Sequence, residues 1–176
     1  MKKIIAFAGS NSKTSINKQL ATYAANSIEG VAIQVLDLND FNLPLYSIDL
    51  EKEKGIPEAV NKFLKYINDS DGIVLSLAEH NGAYSTAFKN LFDWLSRKEV
   101  KFWNKKPMLL LATSPGQNGA NSCLSIAKDR FPRHDSEIIA TFSLPSFHEN
   151  FSAEGIKDTA LNKELNEAIT SFKKAL

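Results

Sequence analysis

Between Gly9 and Asn17 the chain reads GSNSKTSIN, which places four hydroxyls (Ser10, Ser12, Thr14, Ser15) and two amides (Asn11, Asn17) directly after an apolar run. Small donors at a strand-to-helix junction suit a phosphate, because a helix N-terminus offers unpaired N–H groups and the positive end of its dipole. A single Ser15 or Thr14 would serve if the helix only needed a cap, so a capped turn and an anion site both fit the local sequence. Two familiar phosphate loops do not match. A Walker A loop needs Gly directly before Lys-Ser/Thr, and here Ser12 precedes Lys13-Thr14. The dinucleotide fingerprint needs three glycines at fixed spacing, and this loop has only Gly9. A hydroxyl-rich loop able to surround one terminal phosphate is what remains.

Two further segments share this small, polar, glycine-containing character: AEHNGAY from Ala78 to Tyr84, and SPGQNGA from Ser114 to Ala120. In the first, His80 is of a type that titrates near neutral pH. It is a candidate proton donor or a local packing and hydrogen-bonding group. Glu79 is a candidate base or a group that orients backbone donors. In the second, Pro115 and Gly116 permit close backbone approach to a flat ligand. His134 and His148 are not at metal-ligand spacing, so no metal site is read. The single cysteine, Cys123, excludes an internal disulfide. Its place early in a helix favours a thiolate, and a packed small hydrophobe is the competing reading. No triad or carboxylate pair is legible.

The elements that position these segments follow from periodicity. Lys3 to Ala8, Val31 to Leu36, Gly72 to Leu77, Pro107 to Thr113 and Ser136 to Phe142 are short apolar runs that predict strands. Helical patterns run from Ser15 to Ser27 and from Pro57 through Val60, Phe63, Leu64 and Ile67. Others carry Phe88, Leu91, Phe92 and Leu95, run from about Asn121 to Phe131, and run from Asp158 to Lys174. Phe88, Phe92 and Trp94 read as core or subunit contacts. The stretch DLNDFNLPLYSIDLEKEKG reads as a long loop, of the kind that is functional or mobile. SLPSFHENFS, Ser143 to Ser152, reads as a lid or an oligomer contact. Alternating strands and helices predict an α/β fold, a doubly wound three-layer sandwich with a five-stranded parallel sheet. In such sheets ligands bind outside the carboxyl ends of the strands at the switch point. That is where the loops after strands one, three and four meet.

Composition agrees with a single domain over residues 1–176, at 43% hydrophobic and 23% charged. The net charge of +1 offers no global field for nucleic acid or for acidic docking. No stretch approaches the roughly 18 apolar residues of a membrane span, and Lys2-Lys3 with its short apolar run is too brief for a signal peptide. A reducing cytoplasm is the expected setting.

The chain resembles the NADPH-dependent FMN reductase family of flavodoxin-like proteins. Gly9, Ser10, Ser15 and Asn17 match that family's Gly-Ser-x-Arg-x-x-Ser-x-Asn, with Ser12 at the Arg position. Glu79 and Asn81 match its Pro-Glu-Tyr-Asn, with Ala78 and His80 at the Pro and Tyr positions. Lys89, Asn90, Asp93 and Trp94 match the helix reading Leu-Lys-Asn-x-x-Asp-Trp, and Asp37 to Tyr46 resembles the loop after the second strand. The resemblance implies an FMN cofactor whose phosphate is held by Ser10, Ser12, Ser15, Ile16 and Asn17. It implies that Glu79, His80, Asn81 and Gly82 run along the ribityl chain and ring edge, and that Ser114, Gly116 and Gly119 close over the ring. NADPH or NADH would be co-substrate, with a small acceptor such as a quinone, azo compound, metal oxyanion or free flavin. A homodimer or homotetramer is implied. A flavodoxin-like carrier without its own NAD(P)H activity is the alternative, although such carriers are usually strongly acidic.

Overall fold

The computed structural model describes residues 1–176. Five parallel strands form one sheet: β1 (Lys2–Gly9), β2 (Val31–Val35), β3 (Gly72–Leu77), β6 (Pro107–Thr113) and β7 (Glu137–Leu144), in the order β2-β1-β3-β6-β7. The order reverses at β1, so the loops leaving β1 and β3 diverge at the carboxyl edge and open the switch-point crevice there. Register is fixed by hydrophobic partners on both sides of the central strands, such as Phe7 opposite Leu75 and Leu75 opposite Leu110.

Alternate residues of each central strand point to opposite layers. Ile5, Phe7, Ile73, Leu75, Met108 and Leu110 face one core. It is covered by α3 (Glu58–Asn68), α4 (Thr86–Lys98) and α5 (Asn121–Arg130). Ile4, Ala6, Val74, Leu109 and Leu111 face the other core. That face is covered by α1 (Ile16–Asn26) and α7 (Thr159–Ala175). Strands buried on both faces must be apolar at every position, which is why these runs do not alternate in sequence. The predicted stripe Val60, Phe63, Leu64 and Ile67 is buried, and so are Phe88, Phe92 and Trp94, which makes them core.

Four features lie beyond the sequence prediction. The long loop after β2 holds a short 3-10 turn at Leu38–Asp40 and a helix, α2 (Ile48–Lys54), whose cap Ser47 accepts from the Leu50 N–H. AEHNGAY forms a hairpin of β4 (Glu79–His80) and β5 (Ala83–Tyr84). Its two-residue turn has Asn81 at φ 54° and Gly82 at φ 78°, the left-handed pair that a tight primed turn demands. The Ser143–Ser152 stretch is not an open lid. It contains α6 (Phe147–Asn150), Phe147 is buried, and Phe151 stacks on Phe147 and meets the Tyr23 ring of α1 edge-on. Finally, β8 (Phe151–Ser152) and β9 (Gly155–Ile156) pair as a second small hairpin.

Candidate functional site

The loop after β1 leads into α1, where Ser15 is the N-cap and its hydroxyl accepts from the Lys18 N–H at 3.1 Å. Ser10 is used the same way, accepting from the Ser12 N–H at 3.2 Å. The Ser15 N–H is spent on the Ser12 carbonyl, but the N–H groups of Asn11, Lys13, Thr14, Ile16 and Asn17 meet no protein acceptor. Unpaired main-chain donors around a helix start are of the kind that hold an anion. Capping therefore accounts for Ser15 but not for the loop. Ser12, Lys13 and Thr14 are exposed, and Ile16 is half-buried with its side chain against the α1 core.

The side chain of Asn17 has a different task from the one its position implied. It is 3% exposed. Its Oδ1 accepts from the Ser76 hydroxyl at 2.7 Å and from the Thr113 N–H at 3.1 Å, while its Nδ2 donates to the Thr113 carbonyl at 3.1 Å. The amide thus joins α1 to the ends of β3 and β6, and only its main-chain N–H faces the loop. Thr113 extends this brace by donating to the Leu144 carbonyl at 2.7 Å.

The second loop is the Glu79–Tyr84 hairpin. His80, Asn81 and Gly82 are exposed, and Glu79 is half-buried with Oε2 accepting from the Cys123 N–H at 2.9 Å. Glu79 is therefore an orienting group. It supplies the cap that α5 lacks, since the cap residue Ala120 sits at φ 63° and has no side-chain acceptor. The hairpin is anchored to the first loop through Ser85, whose hydroxyl donates to the Gly9 carbonyl at 2.7 Å and accepts from the Phe88 N–H. Cys123 is fully buried, and burial, aided by the nearby Glu79 charge, pushes its thiol up to about 12. The thiolate that a helix start would favour does not form; desolvation outweighs the dipole.

The third loop is pinned by the residues that follow β7. The Ser114 carbonyl accepts from the Phe147 N–H, and the Gly116 carbonyl accepts from the Ser146 N–H at 2.9 Å. The Ser114 hydroxyl donates to the Gly116 carbonyl. Gly116 is exposed with open space around it. Gly119 is buried at φ 59°, and a Cβ there would collide with the Ser143 hydroxyl and the main chain of Leu144 and Pro145. Its glycine answers to packing on β7. The three loops do converge at one edge, joined by Ser85–Gly9, Asn17–Thr113 and Glu79–Cys123.

Beside them lies a cavity of about 460 Å³ between the first loop (Asn11), the segment after β2 (Leu38, Phe41, Leu43) and His80 with Asn90. Asn11 and Asn90 are the residues whose roles sequence reasoning missed. Nothing in composition distinguishes them; Asn90 stood only inside the helix motif. The flanking pair Lys18–Asp37, at 2.5 Å, ties α1 to the start of the segment after β2, and it holds the Asp37 carboxyl below its usual range.

A doubly wound parallel sheet with unpaired main-chain donors at its switch point and two polar loops at the same edge is the architecture of a flavodoxin-like protein. The chain belongs to the NADPH-dependent FMN reductase family, whose model matches residues 2–168. It is 29% identical over 125 residues to a quinone reductase of Escherichia coli (strain K12), across 69% of this chain and 64% of that protein. It is 33% identical over 123 residues to an NADPH azoreductase of Bacillus sp. (strain OY1-2), across 70% of this chain and 65% of that one. The match thus spans just under two thirds of the length of these curated relatives. Among solved structures, a flavoenzyme NAD(P)H:(acceptor) oxidoreductase from Paracoccus denitrificans superposes with a TM-score of 0.77 at 26% identity, covering 99% of this chain and 96% of that one.

Proposed function

We propose that this protein is an FMN-dependent NAD(P)H oxidoreductase that passes electrons from NADPH or NADH to a small acceptor. The observation that carries the reading is the set of unpaired N–H groups at Asn11, Lys13, Thr14, Ile16 and Asn17, at the position of the family's phosphate motif. Those donors fit a terminal phosphate and not a longer pyrophosphate loop. Bound there, the flavin supplies the hydride and electron chemistry, and the protein supplies binding and orientation.

The chain's own part is positional. Ser10 and Ser15 fix the first loop by accepting from the Ser12 and Lys18 N–H groups, while its other donors stay unpaired. The hairpin turn at Asn81-Gly82 offers an exposed main-chain edge for the ring, and Ser114 and Gly116 offer a second edge from the opposite loop. His80 stands exposed on the cavity wall, where it can hold a proton for an acceptor that leaves reduced. The near-neutral charge favours this reading over an electron carrier, which would dock by a strong field. We further propose a cytoplasmic setting and a homodimer or homotetramer. No helix is long and apolar enough to cross a membrane, and the apolar Leu45, on the cavity wall, and Ile48, at the start of α2, stand exposed.

The test is spectroscopic. The purified protein is mixed with FMN, freed of unbound flavin and titrated anaerobically with NADPH and then NADH. A retained flavin band that bleaches is the expected result. A retained band that stays oxidised with both would leave a carrier, and no retained band would remove the FMN assignment.

A further inference from the structure

The loop from Ser10 to Ser15 is held by its own bonds and by the helix it opens. Ser12 gives its N–H to the Ser10 hydroxyl, its carbonyl accepts from the Ser15 N–H, and Ser15 caps α1. Beyond the loop and α1, none of these residues hydrogen-bonds to the rest of the fold. The shape of the loop is therefore set at its two ends. The far end is Asn17, bonded to Ser76 and Thr113. The near end is Gly9, and the side chain that grips it is Ser85, the N-cap of α4, whose hydroxyl donates to the Gly9 carbonyl at 2.7 Å.

Ser85 is 1% exposed. Its oxygen accepts from the Phe88 N–H at 3.2 Å and so caps α4, while its hydrogen, shut away from water, goes to Gly9. An ionised Asp caps helices as well as Ser does, but it has no hydrogen to give, so the second bond needs a hydroxyl. The approach is close. A Cβ on Gly9 would stand 3.0 Å from Leu77 Cδ2 and 3.2 Å from Phe88 Cγ. Ser85 also follows directly on β5, the second strand of the Glu79–Tyr84 hairpin. One buried hydroxyl thus ties the start of the first loop to the hairpin proposed to edge the flavin ring.

We propose that Ser85 is a positioning residue for the flavin phosphate. By holding Gly9 it keeps the unpaired N–H groups of Asn11, Lys13 and Thr14 in the arrangement that takes the phosphate, without itself touching the cofactor. A loop ordered beforehand binds more tightly than one its ligand must order. The proposal rests on the FMN reading above. It adds a residue outside the phosphate loop that decides how much affinity the phosphate supplies.

The experiment compares FMN with riboflavin, which has the same ring and ribityl chain but no phosphate. Both are titrated by fluorescence into the flavin-free parent, Ser85→Gly and Ser85→Ala. Glycine is a tolerable helix cap and alanine a poor one, so Ser85→Gly removes the bond to Gly9 and largely spares α4, while Ser85→Ala gives up both. Backbone NMR order parameters of Asn11, Lys13 and Thr14 are read on the flavin-free proteins. Both variants are expected to lower these order parameters and to raise the FMN Kd by about tenfold, the upper scale of one lost hydrogen bond. The riboflavin Kd should stay at the parent's value. Equal weakening of FMN and riboflavin would overturn the proposal, because a merely structural role costs both ligands alike. FMN affinity unchanged in both variants would overturn it too, whatever the order parameters do. These two results remove the role of Ser85 alone, provided that the parent prefers FMN to riboflavin. A parent that holds FMN no more tightly than riboflavin would remove the phosphate reading itself, and the role of Ser85 with it.

Discussion

The Glu79 carboxylate lies 2.9 Å from the main-chain nitrogen of Cys123 and caps a helix that begins more than forty residues later. One ion thereby joins the hairpin after β3 to the loop after β6, the two loops proposed to flank the flavin ring. A carboxylate at an unsatisfied helix N-terminus is favourable through both the hydrogen bond and the dipole. Glu79→Ala should therefore lower stability by about 1–2 kcal/mol. Glu79→Gln, whose amide oxygen still accepts, should recover most of that. Thermal melts of the flavin-free proteins check this; equal melting temperatures for all three would show that α5 needs no cap from the hairpin.

Cys123 should be chemically silent in the folded protein. Burial first, and the Glu79 charge second, put its thiol at about 12. A group raised this far is protonated throughout the physiological range, and only the thiolate is nucleophilic. Native protein held with iodoacetamide at pH 8 should stay unmodified, and the same protein in denaturant should be alkylated once. Rapid labelling of the native form would mean that α5 opens far more often than its packing implies.

Asn17 should prove to be a stability residue as much as a binding one. Removing its amide strands the Thr113 N–H and the Ser76 hydroxyl in the interior, both buried. Asn17→Ala should cost about 2–4 kcal/mol, the scale for orphaning two buried polar groups. Urea denaturation without flavin measures it. A loss confined to flavin affinity, with stability intact, would restore Asn17 as a direct phosphate ligand.

Asn17 also marks what a sequence can and cannot disclose. The strands were legible because two-sided burial forces unbroken apolar runs such as Gly72 to Leu77, and the helix stripes because Val60, Phe63, Leu64 and Ile67 recur at helical spacing. The loops were legible as a set, since parallel topology sends them to one edge. Which way a polar side chain turns was not. Asn17 turns inward because Thr113 and Ser76, remote in sequence, leave hydrogen bonds unmet there. Gly119 reads like a ligand glycine, but the Ser143 hydroxyl and the Leu144 and Pro145 main chain beside it leave no room for a Cβ. The tight Asn81-Gly82 turn is written in its dipeptide, whereas the hold of Asn90 on the Tyr46 N–H and the Pro44 carbonyl depends on a fold-level contact that no local pattern records.

Ser12 occupies the family's Arg position, exposed beside the cradle. Its hydroxyl can offer one neutral hydrogen bond where a guanidinium would offer two charge-assisted ones. Ser12→Arg should therefore tighten FMN by about tenfold or more, since one charge-assisted contact exceeds the 1.4 kcal/mol that factor represents. The gain should shrink as salt rises, because the loop is solvent-facing. Fluorescence titration of FMN at low and high salt checks both. An unchanged affinity would place the phosphate elsewhere than this loop.

The Lys18–Asp37 pair should give stability a defined acid limb. Asp37 caps the turn at Leu38–Asp40 by accepting from the Asn39 N–H at 2.9 Å, while its other oxygen takes the Lys18 ammonium at 2.5 Å. The lysine contact is the main cause that holds the carboxyl below its ordinary 3.8, with the Asn39 bonds adding to it and burial opposing. A folded-state value below the unfolded one means that the unfolded chain binds the proton first. The contribution is thus complete above about 4 and is lost as pH falls through the lowered folded value. Asp37→Asn keeps an acceptor for the turn but gives up the charge. Its melting temperature should fall below the parent's by a few degrees at pH 7, corresponding to at most about 1 kcal/mol for a solvent-screened pair. The gap should hold at pH 5 and narrow as the pH falls below the ordinary 3.8. A gap that persists undiminished at pH 2 would assign the effect to the turn hydrogen bonds and not to the ion pair.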